Sequence, residues 1–302
     1  MAHKLTGTLL GTFSGHKYQV NGVAWSPDGR LASASWDGTT RIWDASNGTV
    51  LASLDVHDNI QAAEDSMVYD VAWSPDGRLL ADARTYSRVG LWDSATGQSL
   101  ALLNHENDVQ AVAWSPDGSR LAAGDDDGTV RLWDASGQLL STLTGHTEQV
   151  YSVSWLPDSR GLASTSEDKT IRLWDTATGQ PFHVLSGYPT PVRSVAWSPN
   201  GRLLAIASVL SEIQLWDLTT RKPAATVKGH ESIVWTAAWS LDGRYLASGS
   251  DDQTVRVWDA SNGHALAVLT GHNKGVFGVA WARDGRLASG SEDRTVRVWW
   301  LQ

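Results

Sequence analysis

Short runs of alternating apolar and polar residues follow one another along the whole chain, each ended by Gly, Pro, Asp or Ser. In the stretch that begins at Gly145, residues 150–155 are rich in β-branched and aromatic side chains, and residues 157–159 close a turn. Residues 161–166, 170–174 and 181–185 then predict three further strands, separated by turns. No segment shows a 3.6-residue apolar period, so the pattern predicts strands throughout and almost no helix.

This four-strand unit recurs seven times. The octapeptide VAWSPDGR occurs at residues 23–30 and again at 71–78, and close variants follow in later units. One series of Trp ends the first strands, a second series ends the third strands, and successive members of each series lie 41 to 49 residues apart. The two series are Trp25, Trp73, Trp114, Trp155, Trp197, Trp239 and Trp281, and Trp43, Trp92, Trp133, Trp174, Trp216, Trp258 and Trp299.

Two dipeptides mark the units. Gly-His precedes the first strand at residues 15–16, 145–146, 229–230 and 271–272, and Trp-Asp ends the third strand in every unit but the last. Four short strands per repeat with these dipeptides are typical of propeller blades, and the chain resembles the WD-repeat β-propeller family over essentially its whole length. The resemblance implies an all-β fold, a seven-bladed β-propeller of four-stranded antiparallel blades in a single domain, residues 1–302. We expect blades near 16–55, 56–103, 104–144, 145–185, 186–228, 229–270 and 271–302.

The two ends of the chain predict how the ring closes. Only three residues follow Trp299, so the seventh unit lacks a fourth strand. Residues 7–13 align with 265–269, a fourth strand that also runs into Gly-His. We therefore predict that an N-terminal strand, residues 4–14, completes the last blade and removes an exposed sheet edge.

Composition excludes several classes of function. Cysteine is absent, which rules out disulfides, thiolate metal sites and a Cys nucleophile. The net charge is −9, from 24 Lys plus Arg against 33 Asp plus Glu, and this sign disfavours nucleic acid and anionic membranes as partners. No apolar run suits a signal peptide or a membrane helix. We expect a soluble, cytoplasmic, monomeric ring without a cofactor.

The resemblance also implies a hydrogen-bonded network of His, Ser or Thr, Asp and Trp within each blade. A His-Ser-Asp set suggests a hydrolase as well, but a nucleophile site occurs once, beside an oxyanion hole, whereas repeated sets serve the fold. We therefore predict no catalytic, cofactor-binding or metal-binding residues. The expected network residues are His16, Ser33, Asp37 and Trp43; His105, Asp127 and Trp133, with Ala123 in place of Ser; His146, Ser164, Asp168 and Trp174; His230, Ser248, Asp252 and Trp258; and His272, Ser289, Asp293 and Trp299.

Two units depart from this pattern. The second has seven extra residues within 56–67, a displaced His57, and Asp82 and Tyr86 in place of Ser and Asp. In the fifth, Tyr188, Ile206 and Leu210 replace all polar members. Either drift in a closed ring or a specialised role explains these departures, and the sequence leaves both open.

We call the end of the ring that bears the Gly-His turns the top face. In the family, top-face positions follow the first Val of each unit or precede the turn Asp, and here they combine aromatic side chains with carboxylates. We predict that they bind a protein or peptide carrying Lys or Arg and an apolar anchor, in a non-catalytic scaffold. The alternatives are an engineered or consensus-like propeller without a natural partner, and a central-channel ligand binder or enzyme. The candidate partner-binding residues are Trp36, Tyr69, Asp126, Tyr151, Glu167, Arg193, Trp235, Asp251, Phe277 and Glu292.

Overall fold

The computed structural model describes residues 4–55 and 66–302. These residues form seven four-stranded antiparallel sheets, and the described ranges contain no helix, as the sequence pattern predicted. Blade one contains β2 (Val20–Trp25), β3 (Leu31–Ser35), β4 (Thr40–Asp44) and β5 (Thr49–Leu54). Blade two contains β6 (Val68–Trp73), β7 (Leu79–Arg84), β8 (Arg88–Asp93) and β9 (Ser99–Asn104). Blade three contains β10 (Val109–Trp114), β11 (Arg120–Asp125), β12 (Val130–Asp134) and β13 (Leu139–Leu143).

The other four blades repeat this order. Blade four contains β14 (Val150–Trp155), β15 (Gly161–Ser166), β16 (Ile171–Asp175) and β17 (Pro181–Leu185). Blade five contains β18 (Val192–Trp197), β19 (Leu203–Ser208), β20 (Glu212–Asp217) and β21 (Lys222–Lys228). Blade six contains β22 (Val234–Trp239), β23 (Tyr245–Ser250), β24 (Val255–Asp259) and β25 (Ala265–Leu269). Blade seven contains β26 (Val276–Trp281), β27 (Leu287–Ser291), β28 (Thr295–Leu301) and β1 (Gly7–Ser14).

The N-terminal strand closes the ring, which confirms the prediction from the chain ends. β1 pairs antiparallel with β28, with Thr8 opposite Trp300 and Phe13 opposite Val296. The buried ring of Phe13 also packs against Trp43 of blade one, at a centroid distance of 5.7 Å. One strand therefore links the last blade to the first.

The first strand of each blade is its inner strand, and the Trp residues that end the inner strands connect neighbouring blades. The indole N–H of Trp73 donates to the carbonyl oxygen of Ala24 in the preceding blade at 3.1 Å, and that of Trp239 donates to Ala196 at 3.0 Å. Trp25, Trp155 and Trp281 form the same bond. Each such bond contributes about 1 kcal/mol net, so these five Trp of the first series stabilise the ring. The second series packs against the preceding blade through apolar contacts.

Turns between first and second strands are built locally. In blade two the Ser74 hydroxyl donates to Asp76 at 2.6 Å and accepts the N–H of Leu79 at 2.9 Å. Gly77 completes the turn with a φ of 73°, a conformation that glycine adopts without strain. The SPDG sequence of blades one, two and three, and its variants in the other blades, therefore place a turn directly after each inner Trp.

Candidate functional site

Four blades contain a complete polar chain from indole to carboxylate. In blade one, Trp43 donates its N–H to Ser33 Oγ at 2.8 Å, Ser33 Oγ lies 2.7 Å from His16 Nε2, and His16 Nδ1 lies 2.9 Å from Asp37. Blades four, six and seven repeat these contacts through His146, Ser164, Asp168 and Trp174; His230, Ser248, Asp252 and Trp258; and His272, Ser289, Asp293 and Trp299.

The electrostatics of these chains suit a structural role. Burial lowers the pKa of His16, which favours a neutral ring that donates from Nδ1 and accepts the Ser33 hydroxyl at Nε2. Burial alone would raise the pKa of Asp37, but the hydrogen bonds that it accepts from His16, Thr39 and the Lys17 N–H hold it well below its usual value. Ser33 is fully buried and uses its oxygen for both neighbours, so it has no path to a substrate. A hydrolytic role finds no support in this geometry.

Blade three differs from the sequence prediction. His105 Nδ1 lies 2.8 Å from Asp125, and Arg131 also bonds Asp125, whereas Asp127 accepts the N–H of Thr129 at 2.9 Å. The prediction of Asp127 as the partner of His105 is therefore wrong. Asp125 occupies the buried last position of β11, where blade one has Ser35, and from there its carboxylate reaches both His105 and Arg131.

Because Ala123 replaces Ser in blade three, the network is shortened. Among the residues that the structure describes, neither His105 Nε2 nor the indole N–H of Trp133 has a hydrogen-bond partner. The hydroxyl at this position is what joins the two rings in the complete blades.

Blade two contains a different network, which the sequence analysis missed. Asp82 and Arg84 form a fully buried ion pair through two bonds of 2.7 and 2.6 Å. Arg84 also donates to the carbonyl of Gly38 at 3.1 Å, and the Thr40 hydroxyl donates to Asp82 at 2.7 Å, so the pair ties blade two to blade one. His57 and residues 56–65 of the predicted loop lie outside the described residues.

The sequence does contain a signal for the unusual place of this arginine. Most third strands have Arg two residues before their Trp, but blade two has Gly90, where a side-chain carbon would clash with Asp82. The arginine instead stands at position 84, where blade one has Ser35. The two positions have exchanged their roles.

In blade five, the residue at the His position of the network keeps a polar contact with the third strand. The Tyr188 hydroxyl donates to Gln214 Oε1 at 2.7 Å, and burial raises the pKa of Tyr188 to about 12. Ile206 is buried in the apolar core, whereas Leu210 is exposed. Hydrophobic packing thus replaces most of the polar chain in this blade.

The top-face candidates meet at the mouth of the central channel. The second residues of all seven inner strands line one cavity of about 170 Å³: Asn21, Tyr69, Gln110, Tyr151, Arg193, Trp235 and Phe277. Trp235 packs edge-on against Phe277 at 5.4 Å, and Trp36 packs edge-on against Tyr69 at 6.1 Å. The aromatic rings are half-buried and therefore keep some surface at the mouth.

Carboxylates of the neighbouring turns bond these residues. Gln110 donates to Asp126 at 2.8 Å and Trp235 donates its indole N–H to Asp251 at 2.6 Å. The Tyr151 hydroxyl donates to Glu167, and Lys274 donates to Glu292 at 2.9 Å. The structure therefore brings together the predicted aromatic and acidic residues, and each of these carboxylates has a partner within the protein.

Arg193 occupies the space between two of the aromatic rings. Its guanidinium carbon lies 3.9 Å from the centroid of Tyr151 and 5.3 Å from that of Trp235, and Glu167 lies 3.8 Å away. Burial raises the pKa of Tyr151 to about 12, so this phenol stays neutral beside the cation. Arg193 itself thus makes the cation–π contacts with Tyr151 and Trp235.

Asp70 lies just inside the channel and was not among the sequence candidates. Its carboxylate accepts the N–H groups of Val71 at 2.8 Å and of Val112, in the next blade, at 3.1 Å. Burial raises the pKa of Asp70 to about 6. Its signal was a lone carboxylate at a strand position where the other units have Gly, Ala, Ser or Thr.

Comparison with known proteins agrees with this architecture. The WD domain, G-beta repeat family matches residues 7–44, 48–93, 97–134 and 137–175, and the WDR19 first beta-propeller family matches residues 172–301. Within the described ranges no helix is long and apolar enough to cross a membrane, and no cluster of three His, Asp or Glu side chains is placed to hold a metal.

Several curated proteins are similar over shorter stretches. Gem-associated protein 5 from Homo sapiens is 61% identical over 36 residues, which is 11% of this chain and 2% of that protein. Nuclear distribution protein nudF from Emericella nidulans is 33% identical over 102 residues, 33% of this chain and 22% of the relative. Small ribosomal subunit protein RACK1y from Oryza sativa subsp. japonica is 51% identical over 53 residues, 17% of this chain and 16% of the relative. The matched part thus spans less than a quarter of each of these relatives.

Proposed function

Because this chain belongs to the WD-repeat family of β-propellers, we propose that it is a non-catalytic protein-interaction scaffold that holds a partner peptide or domain on its top face. The observation that carries the proposal is the convergence of Tyr69, Tyr151, Trp235 and Phe277 at the channel mouth. Half-buried aromatic side chains held by neighbouring contacts lose little conformational freedom on binding, which is why such residues dominate interface centres.

The charge of the surface indicates the chemistry of the partner. The net charge of −9 attracts basic segments over long range, and Asp126, Asp251 and Glu292 stand around the aromatic residues. We propose a partner segment with a Lys or Arg and an apolar anchor. Because Arg193 already lies between Tyr151 and Trp235, the partner's cation contacts the carboxylates and its apolar residue contacts the exposed ring surfaces.

Affinity capture with matched variants tests this proposal. The double variant Trp36→Ala/Trp235→Ala removes the two rim tryptophans, and Leu140→Ser removes an exposed apolar residue from an outer strand as the control. A protein retained by the wild type and by Leu140→Ser, remeasured in purified form, should bind the double variant at least about 30-fold more weakly, as expected for two central anchors.

The other outcomes separate the alternatives. Equal affinity for the wild type and a folded double variant would contradict top-face binding. Very high thermal stability with no specific capture would support a consensus-like propeller without a natural partner. A small molecule recovered from the channel would support the ligand-binding alternative.

A further inference from the structure

On the face opposite the channel mouth, which we call the bottom face, three blade junctions are covered by arginines. Each arginine stands at the beginning of the second strand of one blade or directly before it, and lies over the inner-strand Trp of the next blade. The guanidinium-to-ring distances are 4.8 Å for Arg30 over Trp73, 5.3 Å for Arg120 over Trp155 and 4.6 Å for Arg286 over Trp25. The stacked cation is thus a repeated element of the ring.

Two of these arginines donate to the same pair of positions in the next blade. Arg30 donates to the carbonyls of Ser94 at 2.8 Å and Gly77 at 3.3 Å, and also to the Ser94 hydroxyl at 3.3 Å. Arg120 uses Thr176, through its hydroxyl at 2.9 Å and its carbonyl at 3.4 Å, and the carbonyl of Ser159 at 3.1 Å. One acceptor residue comes four residues after the inner Trp, and the other directly follows the Trp-Asp dipeptide.

Four junctions lack this arginine, among them the junction of blades five and six, and the residues at its position are Leu79, Gly161, Leu203 and Tyr245. Leu203 packs against the apolar cluster that contains Trp239, which is 8% exposed. The leucine side chain is too short to reach the place where an arginine would put its guanidinium. The adjacent Arg202 points elsewhere and bonds Asp217 in its own blade at 2.9 Å. A cavity of about 660 Å³ opens here.

The lining of this cavity keeps the acceptor positions. Gly243 corresponds to Gly77, and Ala260 corresponds to Ser94 and Thr176. Asp242 and Asp259 also line the cavity, against one cation, Arg244, which lies over the ring of Tyr245 at 5.4 Å. The cavity therefore offers backbone carbonyls together with an excess of negative charge.

We propose that this cavity binds the arginine side chain of a partner protein, with the guanidinium at the place that the chain's own arginine occupies at the junctions of blades one and two and of blades three and four. The planar group donates to the carbonyls of Gly243 and Ala260, and its stem lies along Leu203. Lysine fits less well because its compact ammonium lacks the flat, two-sided donor geometry. This site is on the opposite face from the proposed top-face surface and does not depend on it.

Titration of the intact protein with N-acetyl-L-arginine amide tests the site. The backbone amide signals of Gly243 and Ala260, followed by NMR, should shift and saturate with a Kd on the order of 1 mM, as expected for one side chain. N-acetyl-L-lysine amide should bind at least about fivefold more weakly, because it lacks the planar donors. Shifts that never saturate, or that are equal for both probes, would overturn the proposal.

Three variants make the test specific to this cavity. Leu203→Arg supplies the missing arginine from within and should abolish the saturable shifts, whereas Leu79→Arg, at the junction of blades two and three, should leave them unchanged. Ala260→Ser restores the hydroxyl acceptor of Ser94 and should tighten binding about two- to fivefold, in line with one added hydrogen bond. If Leu203→Arg fails to fold, Ala260→Ser still decides: unchanged or weaker binding of the arginine probe contradicts the proposed guanidinium position.

Discussion

At the scale of single residues, Asp70 makes the stability of the ring depend on pH. Burial raises the pKa of Asp70 to about 6, above the usual value of 3.8, so the folded state prefers the neutral carboxyl. This preference stabilises the fold fully only below the usual pKa and is lost as the pH rises through about 6. Asp70→Ser removes the charge and keeps an acceptor, as Ser152 does for the N–H of Val195. We expect Asp70→Ser to raise the free energy of unfolding at pH 7.5 by about 1–2 kcal/mol.

Denaturant unfolding of both proteins from pH 5 to 7.5 measures this effect. The advantage of Asp70→Ser should shrink by roughly 1 kcal/mol between pH 7.5 and pH 5, as the wild-type carboxyl takes up its proton. Asp70→Asn, which removes the charge but preserves the shape, should show the same trend. Parallel curves for wild type and variants would mean that Asp70 has its ordinary pKa in the folded ring.

At the scale of the blade, the Asp82–Arg84 pair predicts strong coupling between two side chains. Arg84→Ser leaves a carboxylate without its cation at a fully buried position, and we expect a loss of about 3–5 kcal/mol in the free energy of unfolding. Asp82→Ser/Arg84→Ser removes both charges and restores the serines of blade one, so most of that loss should be recovered. A double-mutant cycle by denaturant unfolding measures the coupling, and additive single effects would contradict a buried pair.

The blade also shows which details a sequence predicts poorly. Strand positions followed from alternation and turn residues, because each unit repeats both signals. The hydrogen-bond partner of His105 could not be predicted in this way. An alignment of the units assigns Asp127, but the carboxylate that bonds His105 is the buried Asp125, two residues earlier. Arg84 was missed for a related reason: it replaces a serine in one strand and an arginine in another, and only the fold shows that the two positions share one space.

At the scale of the whole molecule, seven copies of one pattern predicted the architecture. They also predicted the pairing of the chain ends, because the last blade has an unpaired strand edge unless the N-terminal strand pairs with it. The contacts between blades were beyond the sequence. The two Trp series look alike in sequence, yet in the described residues only members of the inner series donate a hydrogen bond to the preceding blade. Likewise, Arg193 was predicted as a contact for a partner, but its place between Tyr151 and Trp235 depends on three neighbouring blades.

Ring closure gives a prediction for the entire molecule. Deletion of residues 1–14 removes β1, exposes the edge of β28 and takes Phe13 away from Trp43, so blades seven and one both lose a neighbour. Because the inner-strand indoles connect successive blades, we expect a single cooperative transition with a Tm lower by about 10 °C rather than fraying of one blade. Calorimetry measures both features.

A synthetic peptide of residues 4–14 added to the truncated protein should restore part of the Tm, since it can re-form the antiparallel pairing with β28. The same peptide with Phe13→Ala should restore less. An unchanged Tm after truncation, or a separate early transition confined to blade seven, would show that the ring does not depend on this strand for its closure.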